Sequence, residues 1–283
     1  MPARRRLTGG IWVGASAVCA TGVAAVLLLI MAYIAERGIG ALSLSYLIHV
    51  PRPIGIPGGG VANGIVGSFI IVGIAALMAF PIGIFVGLYL GVYGYGPRAE
   101  GLAFVADVLA GVPSIAIGIY AYTVLVEPFR QFSAVSASFA FAVLMLPLVI
   151  RATEGAIKVV PRELREAATA LGAPDHRVVG KILLAAARPG IVTGLLLALA
   201  RVTGETAPLL FTAFGSQFWE LDPTRPMAEL SLQIFNYAIS PYSEWHEQAW
   251  GGALLLIFAV FFLSLLARLS FLMQKGRGPG RAE

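Results

Sequence analysis

The chain has 283 residues, of which 58% are hydrophobic and only 12% are charged, and its formal net charge is +5. This composition excludes a soluble globular domain, in which about 25% of residues are charged. Charged residues are absent from four long stretches, at positions 9–35, 53–97, 131–150 and 248–267. Because about 20 apolar residues cross the hydrocarbon core as a helix, the sequence predicts an all-α integral membrane protein.

Six transmembrane helices are predicted, at 11–35, 64–93, 101–126, 133–150, 190–214 and 249–271. The positive-inside rule then places fifteen of the 20 Lys and Arg residues on one side of the membrane. This orientation predicts a multi-pass membrane protein with both termini in the cytoplasm. The basic residues flank apolar segments and form no basic, aromatic-interleaved face, which argues against a nucleic-acid partner.

The first predicted helix follows three arginines, Arg4, Arg5 and Arg6. Its uncharged stretch of 27 residues exceeds the apolar region of a cleavable signal peptide, so we expect it to remain as a spanning helix. It contains the single cysteine of the chain, Cys19, and an internal disulfide is therefore excluded.

The second predicted helix has glycine at every fourth position, at Gly83, Gly87 and Gly91. Such a stripe allows another helix to approach closely. The third is interrupted near its middle by Pro113, which lacks a backbone donor, and by Ser114, which adds a hydroxyl group. Two interpretations are open for this interruption: a kink that serves packing, or a wall of a translocation path. Asp107 precedes it and is expected near the cytoplasmic interface.

The segment 151–189 is the longest charged stretch, with eleven Lys, Arg, Asp and Glu residues. A compact helix within it is predicted by a proline suited to the first turn, apolar residues at helical spacing and a glycine suited to the cap: Pro161, Leu164, Ala168, Leu171 and Gly172. A second helix is predicted at 175–187. The segment is either a solvated connector or a docking element that enters a groove of a partner.

The fifth predicted helix carries Arg201 and Glu205, four residues apart and so on one helix face. A charge at mid-bilayer costs about 2.5–3.5 kcal/mol, and such side chains usually face a bundle interior or water. One interpretation is an intrahelical ion pair that allows both to be buried. The other is a transport pathway in which Arg201 offers a bidentate fork to an oxyanion and Glu205 holds and releases it. Thr203, Gly204 and Pro208 would expose backbone groups to this path.

The external segment 215–247 has apolar residues at helical spacing together with tryptophans, at Met227, Leu230, Ile234, Tyr237, Trp219 and Trp245. This pattern predicts an interfacial or re-entrant helix that lines an external mouth. The sequence has no GxxxxGK[ST] loop, and its three histidines lie in different loops. We therefore predict no catalytic residue, no metal site and no cofactor bound by this chain.

The charged segment resembles the EAA motif of permease subunits of bacterial ABC importers through Glu166, Ala167, Ala168, Gly172, Ile182 and Leu184. Where that motif has proline, this chain has Ala185. Four further segments resemble the PstA-type permeases of phosphate ABC importers, in the binding-protein-dependent transport inner-membrane component family. They are GGGVANGIVGS (58–68), AGVPSIAIG (110–118), LREAATALGA (164–173) and ALARVTGETAPLLFTA (198–213).

The resemblance implies a type I ABC importer permease fold, with a five-helix core plus an N-terminal helix. It divides the chain into an N-terminal part with the first helix and a periplasmic loop (1–63), a permease domain (64–273) with its coupling loop (151–189), and a cytoplasmic tail (274–283). It also implies an importer containing a PstC-type permease, a PstB-type ATPase dimer that binds ATP and Mg²⁺, and a PstS-type phosphate receptor.

Within that importer, the ATPase would contact Glu166, Ala167, Ala168, Leu171 and Gly172. The candidate substrate-pathway residues are Arg201, Glu205, Thr203 and Ser114. Two alternatives remain open at this point: import of another oxyanion such as molybdate or sulfate, and an ion-coupled secondary transporter with Asp107 and Glu205 as relays. The coupling motif and the scarcity of intramembrane acids argue against the second alternative.

Overall fold

The computed structural model describes residues 2–53, 56 and 58–275, and side chains within 11–53, 56 and 58–269. In chain order its helices are α1 (Pro2–Gly38), α2 (Leu44–Ile48), α3 (Ala62–Tyr93), α4 (Pro97–Gly111), α5 (Ser114–Phe129), α6 (Ala134–Lys158), α7 (Arg162–Ala170), α8 (Asp175–Thr203), α9 (Leu209–Thr212), α10 (Leu230–Ala238) and α11 (Ser243–Lys275). Most of the predicted tail, residues 276–283, lies outside the described residues.

Five helices, α1, α3, α6, α8 and α11, are each long and apolar enough to cross a membrane. The bent pair α4 and α5 supplies a sixth crossing if the two helices act as one span. The predicted all-α membrane architecture is therefore confirmed.

The third predicted span is two helices, because α4 and α5 meet at an angle of 102°. The bend follows from Pro113, since the residue before a proline is driven out of the helical region. Val112 accordingly has extended backbone angles, with φ −71° and ψ 130°. The predicted interruption is confirmed, and it is far sharper than an ordinary proline kink.

Two predicted helix boundaries are wrong. The fourth span does not end at residue 150 but continues as α6 to Lys158, so the first charged residues of the presumed loop are helical. The fifth span does not run from 190 to 214. It begins at Asp175, absorbs the predicted second loop helix through a π-helical turn at Val178–Leu183, and ends at Thr203. Ala185 lies inside this continuous helix, so no chain turn occurs at that position.

Helix α6 is the centre of the bundle and has fully buried side chains at Phe141, Met145 and Val149. Its N-terminus is capped by Ser133, whose side chain accepts a hydrogen bond from the backbone N–H of Ser136. The helices that carry the functional residues, α4 and α8, both pack against it. Because α4 and α8 both contact α6, this helix sets the distance between the functional residues of α4 and those of α8.

The glycine stripe of α3 lies directly against α6, as predicted. A Cβ atom added at Gly83, Gly87 or Gly91 would approach the side chains of Val149, Thr153 or Ile157 to within 2.6–2.7 Å. On the other side of α6, Gly190 and Gly194 of α8 pack against alanine side chains. Small residues on both neighbours thus allow three helices to pack at short distance, as is common in membrane bundles.

Helix α1 stands apart from this core. The side chains of its apolar stretch are exposed, and it meets α11 near its C-terminal end, where Tyr33 and Trp250 form an edge-to-face ring contact at 5.4 Å. Helix α10 has one buried face: Leu230 and Tyr237 are almost inaccessible where the helix packs against α3 and α11, whereas Phe235 and Asn236 are exposed. The predicted helix in the segment 215–247 therefore exists, and it packs against the bundle through one face.

Candidate functional site

A cavity of about 460 Å³ lies between α4, α6 and α8. Its walls are mostly apolar and include Val112 at the α4–α5 bend, Leu144 and Pro147. Two arginines, Arg151 of α6 and Arg201 of α8, also line it. The cavity thus brings two guanidinium groups, which suit the recognition of oxyanions, into an apolar setting.

Arg201 has a loose ionic contact. Its Nε atom lies 3.9 Å from Oε1 of Glu205, and the two side chains are 52% and 26% exposed. At this distance and exposure the contact is an ion pair without a hydrogen bond. The N–H donors of Arg201 therefore remain available to an anion that enters the cavity.

Glu205 lies beyond Thr203, the last residue of α8. The backbone N–H groups of Gly204 and Glu205 still bond to the carbonyls of Arg201 and Val202, and Pro208 precedes the short helix α9. The predicted ion pair therefore forms, but its carboxylate lies outside the helix and neither side chain is buried. The carboxylate reaches Arg201 from the irregular segment that follows the helix.

Arg151 differs from Arg201 because several acceptors hold it. It forms an ion pair with Asp107 of α4 at 2.5 Å and with Glu154 of its own helix at 2.6 Å, and Nη2 donates to the carbonyl of Ala103 at 3.1 Å. Glu154 also pairs with Lys158 at 2.6 Å. This network ties α4 to α6, and it assigns Asp107 a structural partner.

Arg151 is not among the pathway residues predicted from the sequence, because a charged residue marks the end of the predicted fourth span at position 150. A signal for the longer helix was present in the sequence. Val149, Thr153 and Ile157 are spaced four apart, which matches the glycine stripe that they contact in α3. Extending the periodicity past position 150 would have placed Arg151 on α6.

Two candidate pathway residues lie away from the Arg201 side chain. The hydroxyl group of Thr203 donates to the carbonyl of Leu199, and Thr203 lines a different, apolar cavity of about 470 Å³ between α3, α8 and α11. Ser114 is half-buried at the start of α5, next to the bend but outside the lining of the Arg201 cavity. The structure therefore groups Arg201 with Glu205 and Arg151.

The predicted docking helix is α7, which starts after Pro161 and ends at Ala170. Gly172 has a φ of +78°, which a glycine at a helix C-terminus adopts without strain. Ala168 packs inward against a cluster that contains Val178 and Leu183. Leu171, in contrast, is 90% exposed.

The outward surface of this docking helix contains charged and apolar side chains at the end of the bundle. Glu166, Ala167 and Leu164 are exposed along with Leu171. Because Ala168 anchors the helix to the bundle, a force applied to its outer surface would be transmitted to α6 and α8. The apolar residues predicted on one face thus divide into one anchor and two outward side chains.

The amino-acid sequence of this chain is similar to those of known membrane transport proteins. The pattern of the family described as "Binding-protein-dependent transport system inner membrane component" matches residues 79–275. A protein of Yersinia pestis named phosphate transport system permease protein PstA is 45% identical over 240 residues, which cover 84% of this chain and 81% of that protein. PstA 1 of Mycobacterium tuberculosis H37Rv is 40% identical over 212 residues, covering 74% and 68%.

Solved structures share the fold at lower sequence identity. The inward-facing MetNI methionine ABC transporter has a chain that matches with a TM-score of 0.63 at 19% identity, covering 74% of this chain and 94% of that one. A chain of an amino acid ABC transporter solved with histidines matches with a TM-score of 0.53 at 14% identity, covering 75% and 92%. The helices described above therefore have the arrangement of ABC importer permeases.

Proposed function

This chain belongs to the binding-protein-dependent transport system inner membrane component family, and to its PstA-type permeases, and we propose that it carries inorganic phosphate through the membrane as one subunit of an ATP-driven importer. The observation that carries the proposal is Arg201, a lining residue of the cavity between α4, α6 and α8 whose contact with Glu205 is a loose ion pair at 3.9 Å. The names of the relatives supply phosphate as the substrate.

Arg201 is suited to bind a passing phosphate. A planar guanidinium offers two parallel N–H donors to two oxygens of a phosphate group. Glu205, whose carboxylate lies 3.9 Å from Nε of Arg201, partly neutralises the arginine, and an incoming anion would compete with it. Because the existing contact is weak, little free energy opposes the exchange, and the same carboxylate can return when the anion leaves.

Arg151 has a different role in this proposal. It is bound by Asp107, Glu154 and the carbonyl of Ala103, so its charge is neutralised and its side chain is a fixed part of the cavity wall. The network also connects α4 with α6, so that a movement of α6 is passed to the bent helix pair. The substrate site therefore combines one available arginine with one immobilised arginine.

The driving force comes from a separate ATPase, which we propose to contact the outward surface of α7, at Glu166, Ala167, Leu171 and Gly172. An exposed leucine at the end of a rigid, glycine-capped helix suits insertion into a groove. ATP and Mg²⁺ would be bound by that ATPase. Closure of the ATPase dimer would then move α7 together with Ala168 and its contacts on α8.

The proposed assembly contains a PstC-type permease as the second membrane subunit, a PstB-type ATPase dimer and a PstS-type phosphate receptor. The receptor would dock on the external loops, and transport would proceed by alternating access. The chain would lie in the cytoplasmic membrane with both termini in the cytoplasm, since that orientation places fifteen of the 20 basic residues inside.

The test is uptake of labelled phosphate by cells that lack this chain, with and without its return, in competition with arsenate, sulfate and molybdate. We expect uptake to depend on the chain and arsenate to compete best. Uptake should also require the receptor and be inhibited by vanadate, which distinguishes an ATP-driven importer from an ion-coupled transporter. If phosphate uptake is indifferent to the chain while sulfate or molybdate uptake depends on it, the proposed substrate is wrong.

A further inference from the structure

Glu229 is a completely buried carboxyl group that the proposed transport cycle does not use. It precedes α10, and its side chain has 0% exposure. The hydrogen bonds of its carboxyl group involve Ser68, Ser231 and the N–H of Leu232, which are all uncharged groups. A buried carboxylate without a cation is costly, so its protonation state needs an explanation.

Three polar groups contact the carboxyl group. Oε1 lies 3.0 Å from the hydroxyl oxygen of Ser68, which in turn accepts a bond from the N–H of Leu230. Oε2 accepts a bond of 3.1 Å from the N–H of Leu232 and lies 2.6 Å from the hydroxyl oxygen of Ser231. The Ser68 hydroxyl group therefore has its proton free to donate to Oε1.

If Glu229 were ionised, the hydroxyl group of Ser231 would lie between two acceptors and could donate to only one of them. The hydroxyl oxygen of Ser231 also lies 3.1 Å from the backbone carbonyl oxygen of Glu205. A carbonyl can only accept, and a hydroxyl group has a single proton. With an ionised Glu229, Ser231 would face two acceptors with one proton.

A neutral Glu229 removes this conflict. The carboxylic acid donates its own proton from Oε2 to Ser231, at the short distance of 2.6 Å, and Ser231 donates to the carbonyl of Glu205. Oε2 keeps a lone pair for the N–H of Leu232, and Oε1 accepts from Ser68. Each donor in the group then has one acceptor.

We propose that Glu229 is a neutral carboxylic acid that acts through Ser231 as a positioning residue for Glu205 in the pathway. This inference rests on the proposed transport function. The chain of bonds joins α3, through Ser68, to the irregular segment after α8, where Glu205 faces Arg201. It holds the backbone of Glu205 in place although that segment is outside any helix.

The surroundings agree with a neutral acid. Burial raises the pKa of Glu229 above its ordinary value, although the hydrogen bonds from Ser231, Leu232 and Ser68 oppose the shift. Glu229 also lines a cavity of about 180 Å³ with Gln233 and Tyr237, and the pKa of Tyr237 is raised by burial as well. Glu205, through its backbone carbonyl, and Tyr237 are two titratable residues close to Glu229, and neither can supply a positive charge.

The protonation state can be measured directly by infrared spectroscopy of the complete importer in lipid nanodiscs. We expect the wild type at pH 7 to show the C=O stretching band of a protonated carboxyl group, and Glu229→Gln to lack it. Glu244→Gln, at an exposed position in the first turn of α11, is the matched control and should keep the band. If wild type and Glu229→Gln have the same spectrum in this region, Glu229 is ionised and the proposal is overturned.

The positioning role is measured by phosphate uptake per assembled complex. Ser231→Ala should raise KM about threefold to tenfold, the effect of losing one neutral hydrogen bond. Ser240→Ala, whose hydroxyl group contacts only the nearby Tyr242 N–H, should leave KM unchanged. A purely structural role of Ser231 would lower the amount of complex without altering KM, and that result would overturn the positioning role.

Failure of the proposed transport function would give a different result. Wild-type importer would then show no phosphate uptake, while the infrared band of Glu229 would be unaffected.

Discussion

Replacement of Arg201 by alanine should abolish most phosphate transport while the importer still assembles. The pair between Arg201 and Glu205 is 3.9 Å long and half-exposed, so it contributes about 0.2–1 kcal/mol to stability. The charge-assisted hydrogen bonds to phosphate, in contrast, each contribute about 1.5–3 kcal/mol. Their loss lowers kcat/KM by roughly tenfold to a hundredfold for each bond lost.

The assay is uptake of labelled phosphate by proteoliposomes with the receptor outside and ATP inside, normalised to the amount of assembled complex. Arg225→Ala is the matched control, because Arg225 is a similarly exposed arginine, with carboxylates 3.6 and 3.7 Å away, outside the cavity. Arg201→Lys should fall between wild type and Arg201→Ala, since lysine keeps the charge but lacks the planar fork. Wild-type kcat/KM in Arg201→Ala would refute the reasoning.

Three further predictions concern packing, coupling and the fixed arginine. Gly87→Ala should lower the free energy of unfolding by about 1–3 kcal/mol, because the added methyl group overpacks against α6. Thermal unfolding of the complex measures the effect. Gly73→Ala should have no such effect, because a Cβ atom added there has no neighbouring atom within 4 Å. Leu171→Asp should reduce copurification of the ATPase, and Leu221→Asp, an exposed leucine outside α7, should leave it unchanged. Arg151→Ala should impair both uptake and thermal stability, the latter by about 0.5–1.5 kcal/mol, because the partly buried carbonyl of Ala103 loses its donor and Glu154 keeps only Lys158. An unchanged melting temperature would contradict the described network.

Much of the candidate site could be predicted from single residues and their spacing. The spacing of Arg201 and Glu205 predicts their contact, and Pro161 and Gly172 predict the bounds of α7. Arg151 was missed because hydropathy treats a charge as the end of a span. In the structure Asp107 and Glu154 neutralise that charge, so the helix continues past it.

The amino-acid sequence by itself determined the all-α membrane architecture and the close contact of α3 with another helix. These properties follow from composition and local periodicity, because each apolar segment must satisfy its own backbone hydrogen bonds in lipid. Tertiary structure alone decided that Glu205 meets Arg201 from beyond the helix end, and that Ser231 holds its carbonyl. Such contacts depend on where helices end and which elements pack around those ends. They are set by the balance of burial and hydrogen bonding across segments distant in sequence, such as Ser68 and Glu229.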